Sequence, residues 1–246
     1  MSQLGRFTLR DMTEIGSRLR KLNDAGVSME EVAGRITQCL YQVLQDGDRP
    51  ACKLVRFFKT HSYGSLPVTL QHQAKSLHRG PKLLNRTKCL TLLATTGAKP
   101  EWNSRALSQG HQAIPLVSEE MVAQAPMISQ LIRQMGLDVR SLLQPRPEIL
   151  MDTEQRTYNV FHVPEALASE YVPAQDFVAE HGIRSVLGVG GLLPSGNLFA
   201  VILFSMVPIP RETADLFRTL TLSIKLAVLP FDEGEVFTPE ELGSAA

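Results

Sequence analysis

Residues 177–205, FVAEHGIRSVLGVGGLLPSGNLFAVILFS, decide the fold. Within them residues 183–193 read as a glycine-punctuated strand and Pro194-Ser195-Gly196-Asn197 as a tight turn. Residues 198–205 read as a strongly apolar strand, so the stretch predicts a β-hairpin. Gly188, Gly190 and Gly191 fall inside this strand-turn-strand unit rather than between a strand and a helix. They therefore lack the context in which helix amides hold a pyrophosphate, and they mark a close backbone approach or a bulge. Downstream, Pro210 opens a helix with Glu212 and Asp215 near its positive end and Phe217, Leu220 and Ile224 on one face, and Pro230 stops it.

Upstream, residues 51–60 (ACKLVRFFKT) place Leu54, Val55, Phe57 and Phe58 together without helical phasing, the pattern of a short strand with apolar contacts on both faces. Residues 88–96 (KCLTLLATT) read the same way, and residues 157–163 (TYNVFHV) have strand composition. Two helices precede these strands. Met12, Ile15, Leu19 and Leu22 step by three and four from Leu9. Ser28 and Glu31 form an S-x-x-E capping box ahead of the face Val32, Ile36, Leu40, Val43 and Leu44, with Val27 positioned to staple onto Val32. Residues 114–147 turn helical again, opened by Ser118, Glu119 and Glu120 and interrupted by Pro126.

Composition narrows the function. Apolar residues are 43% and charged residues 20% of 246, enough for a self-sufficient core, and the 25 basic and 25 acidic side chains cancel. No sequence-wide field draws in nucleic acid or an anionic membrane, and the basic residues between Lys75 and Lys88 lack aromatic partners for bases, so that stretch reads as a solvated loop. The longest apolar run is about half a membrane span. With no secretory signal and an odd set of cysteines, Cys39, Cys52 and Cys89, a cytoplasmic protein with reduced thiols is expected. The organisation expected is an amphipathic signalling or dimer helix over residues 1–26, one α+β domain over 27–231 and a flexible acidic tail over 232–246.

The order of elements, and above all Gly182-Ile183-Arg184-Ser185 followed by the strand 198–205 and the helix from Arg211, resembles a GAF domain. More specifically, it looks like the GAF-like input region of some bacterial multidomain signalling proteins, which carry a histidine kinase or cyclase output. The resemblance implies a central antiparallel sheet, the N- and C-terminal helices on one face, a long helical and loop lid on the other, and a pocket lined by residues between about 102 and 171. It implies a sensor rather than an enzyme, a homodimer through the terminal helices and a signalling output in another domain or protein. The chain has no N-K-x-F-x-x-x-D-E signature of cyclic-nucleotide binders, and none of its cysteines precedes a histidine as in covalent bilin binders.

An apolar pocket needs a few polar and aromatic groups to orient a ligand, and Trp102, His111, Arg156, Tyr158 and His162 are the candidates in the lid region. His111 or His162 would ligate iron if the ligand were haem, the first alternative. A thiol-dependent GAF enzyme of the free methionine sulfoxide reductase kind is the second. Zinc spacing and serine-nucleophile motifs are absent from the sequence. His61, His72, His78 and His181 lie in polar stretches and are expected to be solvated.

Overall fold

The apolar runs become strands and amphipathic helices in the order β1 (Ser2–Gln3), α1 (Leu9–Arg20), α2 (Met29–Val43), β2 (Leu44–Asp46), β3 (Arg49–Pro50), β4 (Cys52–Ser62), α3 (Val68–Leu77), β5 (Lys88–Gly97), β6 (Ala113–Leu116), α4 (Glu119–Ala123), α5 (Pro126–Gln134), α6 (Val139–Leu143), β7 (Val160–Val163), α7 (Gln175–His181), β8 (Ser185–Leu192), β9 (Leu198–Ser205) and α8 (Arg211–Val228). The computed structural model describes residues 1–24, 26, 28–80, 82–108, 111–134, 136–143 and 160–238.

Six strands form one sheet in the order β6-β5-β4-β9-β8-β7, with every neighbouring pair antiparallel. The hairpin β8–β9 closes at Leu192 opposite Leu198, and Gly196 takes φ +75°, a conformation that costs glycine nothing. One sheet face packs on α1, α2 and α8 through Ile36, Leu40, Phe217 and Ile224 against Val55, Phe57, Val201 and Leu203. The other packs on the lid through Leu131, Ile132 and Val178 against Phe161, Val186, Ala200 and Ile202. The α+β architecture implied by the resemblance is the one observed. None of the helices among the described residues is long and apolar enough to cross a membrane.

Local signals explain the helix starts. Ser28 Oγ accepts the Glu31 amide at 3.2 Å, one half of the expected capping box, with the Glu31 carboxylate paired to Arg35, and Thr8 with Asp11 forms a full reciprocal box that opens α1. Val27 lies outside the described residues. Three expectations need correction. Lys75 sits in α3, so the basic loop begins only after Leu77. Residues 114–116, placed at the head of a helical region, lie instead in an edge strand because residues 113–116 pair with 88–91, while the helix opens at Ser118 as expected. Residues 232–238, expected to be a flexible tail, are a strap fixed to the body.

That strap is held because it supplies what α2 lacks. The first amides of a helix have no acceptor of their own, and here Met29 and Glu30 donate to the Glu235 and Val236 carbonyls at 2.9 Å each. The Thr238 amide returns a bond to Glu30 Oε2 at 3.0 Å. At the strap's start Asp232 accepts from the Ser195 amide at 2.9 Å and hydroxyl at 2.7 Å, and it pairs with buried Lys59 at 3.5 Å.

Candidate functional site

Side-chain alternation along β4 gives the central strand two chemistries. Val55 and Phe57 belong to the helix-side core, whereas Leu54, Arg56, Phe58 and Thr60 have the opposite parity and face the lid. Arg56 lies between Thr95 of β5 and Ile202 of β9. Its Nη2 donates to Ser108 Oγ at 3.3 Å, while its Nε is buried with no partner. Beside it the Thr95 hydroxyl is buried and also without a partner. Ser108 follows the 3-10 turn Arg105–Leu107, which runs along β5 beyond the end of β6.

Two buried cations are matched by acids. Lys59 has Asp232, and Arg105 has Glu30. No carboxylate among the described residues pairs with Arg56, and burial alone pushes its pKa below the usual arginine value. Arg56 is half-buried, and its Nε is closed off from solvent with no ion pair to offset that loss.

Apolar and aromatic groups enclose this polar island. Trp102 packs so closely on Gly97 that a Cβ there would lie 2.9 Å from Trp102 Cε3. Its ring meets His181 at 4.8 Å and Phe177 at 5.7 Å, and Phe177 continues to Phe204, which pairs with Leu54 in the sheet. On the far side Leu131 of α5 presses onto Gly188, where a Cβ would lie 2.9 Å from Leu131 Cδ1 and from Ile202 Cδ1. This is the close backbone approach that the glycines of β8 signalled.

The sheet order, the terminal helices on one face and the lid on the other settle the architecture. This is the arrangement that the resemblance to a GAF domain implies. The chain is similar in structure to a protein from Burkholderia vietnamiensis classed as a GAF sensor, at 10% identity over 96% of this chain and 98% of that one, TM-score 0.46. It is also similar to the GAF domain of a phosphoenolpyruvate-protein phosphotransferase from Coxiella burnetii, at 12% identity over 91% of this chain and 94% of that one, TM-score 0.45. A third similar structure is free methionine-R-sulfoxide reductase from Neisseria meningitidis, at 10% identity over 89% and 91% of the two chains, TM-score 0.43. No family model and no curated protein matches the sequence.

Of the residues singled out in the sequence, Trp102 lies in the lid-side layer, in the aromatic wall beside Leu54. His111 is exposed in the loop before β6. His162 turns to the opposite face of the sheet, because Phe161 and Val163 take the lid side, and its Nε2 donates to the Ile209 carbonyl at 2.9 Å. That bond engages one of the ring's two nitrogens. Arg156 and Tyr158 lie outside the described residues. His61 and His181, expected to be solvated, are not: His61 is 5% exposed and His181 is built into the Trp102 cluster.

Sequence reasoning passed over Arg56, Thr95 and Ser108. A signal for Arg56 was present, since a lone arginine at the parity of Leu54 and Phe58 in an otherwise apolar strand must go under whatever covers that face. Cys52 and Cys89 lie on the helix side, and burial pushes both thiols up to about 12, so neither is a thiolate at neutral pH.

Proposed function

We propose that the chain is a regulatory sensing domain that holds a small molecule between sheet and lid and passes the bound state to a signalling output through α1 and α8. One observation carries this reading: the Arg56 Nε and Thr95 Oγ1 are buried without partners inside an otherwise apolar layer. Core polar atoms are almost always satisfied, whereas binding sites keep a few convergent polar groups for a ligand. Protonated, buried thiols favour binding over thiol catalysis.

The terminal helices suit an output. The Phe7 ring, just ahead of α1, lies 4.9 Å from Phe217 of α8, and Arg20 donates to Ser223 at 2.9 Å, so the two helices are packed as a pair. Leu9 on α1 and Leu222 and Leu226 on α8 stay exposed, and a second copy of the chain covering them would make the homodimer that such signalling requires.

Native mass spectrometry of the purified chain tests both parts. The expected spectrum shows a dimer and, per chain, an added mass that is lost on denaturation. A chain that carries no small molecule and takes none from a small-molecule extract of its host cells would count against the sensing reading.

A further inference from the structure

We propose that the molecule held beneath the lid carries a carboxylate or phosphate group, and that Arg56 is its charge partner, with Thr95 and Ser108 supplying hydroxyls. This rests on the reading of the lid side as a small-molecule site and adds the chemical class of the ligand.

A guanidinium cannot shed its proton to escape burial, so Arg56 stays cationic in a layer made by Leu54, Phe58 and Ile202. Its one side-chain bond, to a neutral hydroxyl at 3.3 Å, leaves the buried Nε–H without a partner. The Nε and Nη groups form a fork that matches two oxygens of one oxyanion. Thr95 stands directly opposite Arg56 across the β4–β5 pair, about 5 Å away at Cβ, so its unpaired hydroxyl can donate to the same group. The apolar surroundings strengthen such a pair by excluding water. Lys59 is matched by Asp232 and Arg105 by Glu30, whereas half-buried Arg56 has no acid among the described residues and is open to a ligand's charge.

The test is thermal unfolding of the full chain and of Arg56→Met and Arg56→Lys, in sodium chloride, sodium phosphate and sodium succinate at matched ionic strength. One of the two oxyanions is expected to raise the wild-type midpoint saturably, by roughly 5–10 °C at a hundredfold excess over its Kd. The responding arm names the source, phosphate or carboxylate. Arg56→Met is expected to lose that rise while melting close to wild type in chloride, because it removes a half-buried charge that has no acid partner among the described residues. Arg56→Lys keeps the charge without the fork and is expected to bind about tenfold more weakly, which carries the comparison if the methionine variant fails to fold. No response to either anion, or an equal response in both variants, overturns the proposal. A neutral small molecule retained by Arg56→Met in native mass spectra overturns the anion assignment and leaves the sensing reading standing; absence of any bound molecule removes the reading itself.

Discussion

His61 shows what burial does to a residue whose sequence surroundings look polar. It shares a face of β4 with Val55, Phe57 and Lys59, and the Phe237 ring covers it at 5.1 Å. Neither ring nitrogen has a hydrogen-bond partner of good geometry. Burial first, then the Lys59 cation, push its pKa well below 6.5, with Lys88 and Arg105 adding to the shift and the Lys59 carbonyl opposing it. The folded ring therefore binds a proton less readily than the unfolded one. Stability is full above about pH 6.5 and declines on acidification, by up to about 1.4 kcal/mol per pH unit from this group. Urea midpoints are expected to hold steady from pH 8 to 7 and to fall from 6.5 toward 5. His61→Leu removes the base and both unpaired nitrogens, so it should flatten part of that fall and be at least as stable at pH 7. A wild-type midpoint unchanged down to pH 5 would show that the buried ring is not neutral.

Among the elements, the strap at residues 232–238 was the least legible in the sequence. Acidic, short and lacking periodicity, it satisfies local rules for a loose tail, and its order comes from partners far along the chain: Lys59, Ser195 and the first amides of α2. The hairpin, the capping box of Ser28 and the stripes of α1, α2 and α8 were legible because each is specified within about twenty residues. β6 and α3 were missed for the same reason as the strap, one being defined by cross-strand pairing and the other by a weak stripe of Leu70 and Ala74. If the Lys59–Asp232 pair anchors the strap, Asp232→Asn should cost about 3–5 kcal/mol, since it strands a buried ammonium. The double variant Lys59→Met with Asp232→Asn should recover most of that loss. Denaturant unfolding of the single and double variants measures the difference, and equal losses in both would deny the pair its anchoring role.

At the scale of the whole molecule, β8 joins the two faces. Val186 and Gly188 meet the lid, while Leu187 and Val189 belong to the core beneath the terminal helices, so one strand feels both layers. The sandwich was readable from amphipathic stripes, but the contact between lid and strand was not, because it depends on Leu131 reaching a position that only glycine leaves open. A methyl group at 188 would stand 2.9 Å from Leu131 Cδ1 and 3.1 Å from Phe161 Cβ. Gly188→Ala is therefore expected to cost about 1–3 kcal/mol as an overpacking change and to lift α5 from the sheet. If strain on one face is felt on the other, amide exchange should quicken in α8 as well as in α5, measured by mass spectrometry on the intact chain. Faster exchange confined to residues 126–134 would mean that the sheet insulates its two faces, and a signal from the lid would then have to reach α1 and α8 by another route.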